Sequence, residues 1–298
     1  MNSDPLMSWK TATSLLIMFL LSFVLLKADA QISTPCEGCE DWEKEELNKV
    51  RQHAYDKLDL ADKVPLRYEP IREADVFWSK KIWRDIDLKE KINLRFAYPK
   101  QPFVQILLEA VMSGELMAYH PLRDDFTMTM TREEVKSKLW RVDTIPLYDF
   151  NTGNIKGDTV VLSEPSWSRF TKIRILEEWV FDEEASSIVV RILGIAPIRE
   201  YIDMNSGLVL GDEPVCWIYY PESRHLLATV ESFNPGNDGV RQSWDDIMEM
   251  RYFSSVIIKE NNVHDRYIEN YATGVDGVLE SDRIKGDIFR FEHELWEY

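Results

Sequence analysis

The segment that decides the fold lies in the second half of the chain and reads KIRILEEWVF (residues 172–181), DEEAS (182–186) and SIVVRILGI (187–195). The first and last parts are rich in β-branched and aromatic residues, which favour β-strands. The middle part is short and polar, as turns are. We therefore predict two antiparallel strands joined as a β-hairpin.

Other segments extend this β character over much of the chain. From about Ile145 the sequence is mainly that of strands, and two more are predicted at residues 214–220 and 225–230. Shorter extended segments are expected earlier, at residues 96–99, 117–120 and 126–131.

Helices are predicted where apolar residues recur at helical spacing. They cover residues 41–60, 72–93, 102–116, 132–140, 244–263 and 277–296. In the second of these, Val76, Ile82 and Ile86 belong to a broad apolar stripe. Trp83 lies in the middle of that stripe, so we expect it in the core.

Together these patterns predict an α+β protein, with two lobes of mixed or antiparallel sheet flanked by helices and an N-terminal helical arm. We expect a signal peptide over residues 1–30 and the arm over residues 31–70. A helix-rich first lobe follows over residues 71–144. A β-rich second lobe, ending in helices, covers residues 145–298.

Composition excludes several classes of protein. The 298 residues include 52 Asp and Glu against 35 Lys and Arg, a net charge of −17, whereas nucleic-acid binding requires clustered cations. The chain also has 10 Trp, 12 Tyr and 13 Phe, too many for a disordered acidic chain. We therefore expect a folded, acidic protein that does not bind nucleic acid.

The N-terminus has the pattern of a signal peptide. Residues 11–26 carry no charge, Lys10 precedes them, and Ala28-Asp-Ala30 provides a cleavage site. An uncleaved anchor is the alternative, but this uncharged run is shorter than the about 20 apolar residues that a membrane span needs. The sequence therefore predicts an exported protein.

Export bears on the cysteines, because disulfides form readily outside the cytoplasm. Cys36 and Cys39 form a C-x-x-C near the start of the mature chain. A redox site would place this motif after a strand in a βαβ unit, so we expect a local disulfide instead. Cys216 lies in an apolar stretch and is predicted to be a buried strand thiol.

Known motifs for catalysis, metal binding or cofactor binding are missing from the sequence. The five His residues form no H-x-H or H-E-x-x-H, and no G-x-S-x-G, G-x-G-x-x-G or P-loop occurs. Acids do occur in adjacent pairs, at residues 124–125, 177–178 and 245–246. With the many Trp residues they leave one alternative open, an exported carbohydrate-binding module or glycosidase. We predict no catalytic residue, metal ligand or cofactor.

Six motifs stand out in the chain, and three of them contain Trp. They are ADVFWSKKIWRDIDLKEKIN (residues 74–93), FAYP (96–99), WIYYPE (217–222), FNPGNDG (233–239), KENNVHDR (259–266) and EHELWEY (292–298). In these motifs the chain resembles the GldN/PorN family, over roughly residues 70–298. Residues 31–67, which include the C-x-x-C, match no pattern of that family.

The resemblance implies a structural role without enzymatic activity. Members of this family are periplasmic parts of the type IX secretion system, which also supports gliding motility. The resemblance implies that copies of the chain associate into a ring with a lipoprotein of the GldK/PorK type, at the inner face of the outer membrane. It also implies contact with a periplasmic shaft of the GldM/PorM type. The membrane is then reached only indirectly, through the lipoprotein.

Large aromatic side chains are the candidate contacts with such partners. We single out Trp78, Trp244, Trp296 and Tyr298. Changing Trp78 or Trp83 to Ala weakens binding if the residue lies at an interface, and weakens the fold if it lies in the core.

Overall fold

A computed structural model describes residues 60, 62–148, 155–163, 165–202, 208–237 and 239–295 of the chain. All of these residues belong to the second of two compact units, Asp59–Tyr298. The predicted signal peptide, the C-x-x-C and the first predicted helix up to residue 59 lie outside the described residues, as do Trp296 and Tyr298.

The described part of the chain contains five α-helices and twelve strands. The helices are α1 (Phe103–Ser113), α2 (Arg132–Leu139), α3 (Tyr220–Thr229), α4 (Trp244–Glu249) and α5 (Val275–Glu294). The strands are β1 (Val76–Asp87), β2 (Ala118–Tyr119), β3 (Thr129–Met130), β4 (Arg141–Tyr148), β5 (Ile155–Ser163), β6 (Phe170–Asp182), β7 (Ser187–Ile202), β8 (Val209–Pro214), β9 (Trp217–Tyr219), β10 (Glu231–Ser232), β11 (Gln242–Ser243) and β12 (Val256–Glu260). Short 3₁₀ helices occur at Glu73–Asp75, Lys91–Ala97, Trp167–Arg169 and Ile268–Asn270.

Eight of the strands form one antiparallel sheet. Its order is β12-β1-β6-β7-β9-β2-β3, and β8 pairs with the last part of β7. At its centre is the predicted hairpin, in which β6 and β7 pair from Phe170 opposite Arg199 to Asp182 opposite Ser187. The hairpin is therefore confirmed, with both strands longer than predicted. Two-stranded sheets are formed by β4 with β5 and by β10 with β11.

The α-helices pack on one face of the large sheet, which confirms the α+β class. On β1, Ile86 belongs to the main apolar core together with residues of α1, α2, α3 and α4. Ile82 lies on the same face of β1, four residues away, and packs with Ile284 and Ile288 of α5. The sheet takes strands from both sides of residue 145, since β1 pairs with β6 and β12.

The opposite face of the sheet carries a smaller apolar cluster. Trp83 is buried there against Leu176 and Trp217, which confirms that it is a core residue. Phe126 covers Gly194, and a Cβ added to this glycine would lie 2.5 Å from the Phe126 ring. Only glycine therefore allows the ring to approach the strand this closely.

The helix predicted over residues 72–93 is wrong, because Val76–Asp87 form the strand β1. Ile82 and Ile86 are four residues apart, a spacing that suits one face of a helix but also, being even, one face of a strand. The segment is rich in β-branched and aromatic residues, and it pairs with β6 on one side and β12 on the other. Hydrogen bonding to a neighbouring strand on each side therefore stabilises this segment as a strand.

Other local predictions are wrong for related reasons. The helix predicted over residues 244–263 ends early as α4, and its Val256-Ile-Ile258 run forms β12, consistent with stiff β-branched side chains. The strand predicted over residues 225–230 lies largely in α3, which has Pro221 in its first turn. Phe96 and Ala97, predicted to be extended, end a 3₁₀ helix.

Helices with clear start or stop signals are confirmed. The helix α1 ends at Gly114, whose φ of 86° is left-handed. The helix α2 begins with a capping box between Thr131 and Glu134. The helix α5 covers most of the predicted residues 277–296.

Candidate interaction surfaces

A groove of about 770 Å³ lies between β8 and the start of α5. Its lining includes two ion pairs. Arg174 donates two hydrogen bonds to Asp85, of 2.8 and 3.0 Å, and Lys172 donates one of 2.6 Å to Asp212. Because each cation already faces a carboxylate, the groove has the character of a structural ion-pair network.

Acids from two of the three adjacent pairs also serve the fold. Glu177 is fully buried and accepts hydrogen bonds from Arg251 and from the Trp179 indole. Asp245 is buried and bound by Arg224. Burial alone would raise the pKa of the neighbouring Asp246, but hydrogen bonds from Lys63 and Ser243 lower it below its ordinary value. These carboxylates hold structural cations, so they give the glycosidase alternative no support.

Residues 63–69 form an extended strap that is tied to α3, α4 and β7. Lys63 donates to Ser243 and Asp246, and Tyr68 donates to Glu249. The strap carbonyl of Leu66 accepts a hydrogen bond of 2.6 Å from Arg224. Burial raises the pKa of Tyr68, and the Glu249 carboxylate raises it further. These hydrogen bonds therefore hold the strap against α3 and α4.

Arg224 is the centre of this attachment. It is only 6% exposed and pairs with Asp245 through hydrogen bonds of 2.9 and 3.2 Å. Its guanidinium also lies 4.2 Å from the centre of the Tyr68 ring. The Tyr220 hydroxyl lies 2.9 Å from a carboxylate oxygen of Glu249 and 3.2 Å from one of Asp245, and it shares its single hydrogen between them. The buried guanidinium of Arg224 therefore has an opposite charge and hydrogen-bond acceptors inside the same unit.

A second surface, which we call the basic face, surrounds the 3₁₀ helix Lys91–Ala97. It consists of Lys91, Ile92, Leu94, Arg95, Lys100 and Tyr252. All of these side chains except Arg95 are exposed, and Leu94 is 54% exposed. Next to them, the rings of Tyr98 and Phe233 stack in parallel with 4.3 Å between their centres. The basic face therefore combines cations with exposed apolar and aromatic groups, the composition of protein contact sites.

Arg95 is the buried member of the basic face, at 7% exposure. Its guanidinium lies 4.5 Å from the centre of the Tyr252 ring, and Nη1 donates a long hydrogen bond of 3.4 Å to Gln242. Its buried Nε atom has no hydrogen-bond partner, and no ion pair joins Arg95 to an acid among the described residues. Burial lowers the pKa of Arg95. The site therefore holds a cation that lacks an anion.

A third surface, which we call the acidic helix face, lies on the first two turns of α5. It consists of Val275, Asp276, Val278, Leu279 and Asp282, all of them exposed. Val275 is 75% exposed, and Phe289 further along the same helix is 68% exposed. A cluster of exposed apolar side chains on a helix is typical of a site that another molecule contacts.

The predicted contact residues fall in different places. Trp244 is 1% exposed and packs against Phe96 and Phe103, so it is a core residue with no surface for a partner. Trp78 is half-buried and stacks on Phe291 of α5 at 4.9 Å. Sequence reasoning missed Arg95, although one signal was present: residues 91–102 contain three cations and no acid in a chain of charge −17.

The remaining predictions concern thiols, metals and membranes. Cys216 is fully buried, and burial raises the pKa of its thiol to about 12, which confirms a buried thiol just before β9. In the described ranges, no three His, Cys, Asp or Glu side chains are grouped so that they could hold a metal ion. Within the same ranges, every helix is too short or too polar to cross a bilayer.

Comparison with known proteins places these surfaces within a family. The model of the family described as gliding motility associated protein GldN matches residues 71–297 of the chain. A search of curated proteins gave no match. The family match begins just after the strap and contains both the basic face and the acidic helix face.

Proposed function

The chain belongs to the GldN family of gliding motility associated proteins, a component family of the gliding and type IX secretion machinery, and from this premise we propose that it is a non-enzymatic structural subunit of that machinery. In this proposal a signal peptide over residues 1–30 directs it to the periplasm. There it lies at the inner face of the outer membrane without entering the bilayer.

Its proposed partners are proteins. Copies of the chain form a ring with a lipoprotein of the GldK/PorK type, which supplies the membrane anchor. The ring also contacts a periplasmic shaft of the GldM/PorM type. Cys36 and Cys39 form a local disulfide in the arm that precedes the strap.

One observation carries the proposal: apolar side chains of the helix α5 are exposed, with Val275 at 75% and Phe289 at 68% exposure. A helix that buries its other face against a sheet has no structural need for these groups. Exposed apolar groups that sit beside charges are typical of surfaces that another protein covers. A structural subunit with several neighbours requires such surfaces.

Co-expression with the lipoprotein tests the proposal. The mature chain and the lipoprotein are purified together and examined by size-exclusion chromatography and negative-stain microscopy. We expect one very large assembly with ring-shaped particles, whereas elution of two separate monomers would refute the proposal.

Variants of α5 sharpen the test. Changing Leu279 and Phe289 to Ser removes exposed apolar groups and should reduce the assembly while circular dichroism stays unchanged. Lys285→Ser, on the same helix and also exposed, is the matched control and should assemble as the native chain does.

A further inference from the structure

We propose that the basic face of one copy binds the acidic helix face of a second copy of this chain, and that a carboxylate of the second copy pairs with Arg95. The contact deepens the function proposed above and rests on it, since it supplies the self-association that a ring requires. Two different surfaces meet in this contact, so it is head-to-tail, the type that closes rings.

The first step in the argument is the unsatisfied guanidinium of Arg95. Removing a charge from water is unfavourable unless an opposite charge and hydrogen bonds replace the water. The guanidinium of Arg95 lies over the ring of Tyr252, and its Nη1 donates one long hydrogen bond to Gln242. Its Nε has no hydrogen-bond partner. A carboxylate is the group that matches the planar fork of an arginine. A carboxylate from outside the described unit, bound at the guanidinium, would supply the opposite charge that the described residues do not provide.

The second step is charge complementarity. Residues 91–102 contain three cations and no acid, and residues 275–282 contain three acids and no cation. The whole chain has a net charge of −17, so the cations of the basic face are an exception in it and are attracted to acidic patches on another copy. Asp276 and Asp282 lie exposed on the helix, within reach of an incoming surface.

The third step is the match of apolar groups. Ile92 and Leu94 lie exposed beside Lys91, and Val275 and Leu279 lie exposed beside Asp276. Both surfaces therefore offer an apolar centre with charges around it, the usual anatomy of a specific protein interface. Leu94 lies on a 3₁₀ helix and Leu279 on α5, so the backbone that carries these two apolar side chains is already ordered before binding.

Charge reversal in the complex with the lipoprotein tests this contact. The first variant carries Lys91→Glu and Lys100→Glu, the second Asp276→Lys and Asp282→Lys, and the third all four changes. Each is co-expressed with the lipoprotein, and we measure co-elution with the lipoprotein and the mass of the assembly. A control with Lys81→Glu and Lys285→Glu changes the net charge as much as the first variant does, outside both faces.

We expect the first two variants to keep the lipoprotein but to fall from the large assembly to small units, with self-association weakened roughly tenfold or more. The third variant should restore the large mass, because the reversed charges again face opposite charges. Arg95→Met should also weaken self-association, and its thermal unfolding should remain that of the native chain. The control should assemble normally.

Other outcomes overturn the proposal. An unchanged mass in the first two variants, or no recovery in the third, would show that a second copy is not the partner of the basic face. Loss of the lipoprotein from the first variant alone would assign the basic face to the lipoprotein. Flotation of the native chain with phosphatidylglycerol vesicles, lost in that variant, would assign it to a lipid surface. Failure of the native pair to co-elute would instead refute the proposed function itself.

Discussion

Arg224 and Arg95 are buried to the same degree, at 6% and 7% exposure, yet their surroundings differ. Arg224 has Asp245 on two hydrogen bonds, the Leu66 carbonyl on a third, and the Tyr68 ring above it. Arg95 has a ring, one long hydrogen bond and an unpaired Nε. The first arginine serves the fold, because it holds the strap to α4. The second serves a contact that the single chain does not complete.

The comparison teaches how to separate structural charges from functional ones. A buried ion pair with all its hydrogen bonds is costly to break but contributes little net stability. A buried charge without an opposite charge carries a desolvation cost that the single chain does not offset. The two cases therefore predict opposite responses to removal of the arginine.

The largest effect is expected for Arg224→Met. The substitution leaves the buried Asp245 carboxylate without its cation, so the free energy of unfolding should fall by about 3–5 kcal/mol. Urea denaturation of the mature chain measures this change. The double variant with Asp245→Leu should recover much of the loss, because no buried charge then remains. If Arg224→Met lowers the free energy of unfolding by less than about 1 kcal/mol, the proposed difference between Arg224 as a structural residue and Arg95 as a contact residue is wrong.

A smaller effect is expected for Glu177→Gln. Glu177 is fully buried, and its carboxylate balances the positive charges of two arginines. It forms an ion pair with Arg251, and it lies 3.8 Å from Nη1 of the half-buried Arg84. The amide keeps the shape but not the charge, so unfolding should become easier by about 1.5–3 kcal/mol, the range for hydrogen bonds to charged groups. Glu178→Gln, at the adjacent position, is the control and should change the free energy of unfolding by less than about 0.5 kcal/mol. Equal effects at both positions would mean that Glu177 does not act as a buried counter-ion.

The smallest effect on stability is expected for Arg95→Met. No carboxylate among the described residues loses a cation, and the apolar replacement suits the buried site, so the free energy of unfolding should stay within about 1 kcal/mol of the native value. Urea denaturation under the same conditions as for Arg224→Met gives the direct comparison. A loss as large as that of Arg224→Met would show that Arg95 has a structural partner after all.

Local signals explain which parts of the fold were predictable. The hairpin of β6 and β7 and the capped helices α1 and α2 depend on residues close together in sequence, and they were predicted correctly. The strand β1 was missed because Ile82 and Ile86 suit both periods, and its partners β6 and β12 lie about 90 to 180 residues further along the chain.

The candidate site was less predictable for the same reason. The state of Arg95 depends on Gln242, which is 147 residues away, and on Tyr252. From sequence alone Trp244 is a candidate contact residue, because a large aromatic side chain suits an interface and a core equally well. Only its packing against Phe96 and Phe103 decides between them.

The most direct test of this account is electron cryomicroscopy of the native chain assembled with its lipoprotein. The account predicts that Arg95 lies within ion-pair distance of a carboxylate from the first turns of α5 in a neighbouring copy, with Leu94 and Leu279 buried between them. An assembled particle in which Arg95 has no carboxylate within ion-pair distance and Leu94 still faces solvent would contradict it.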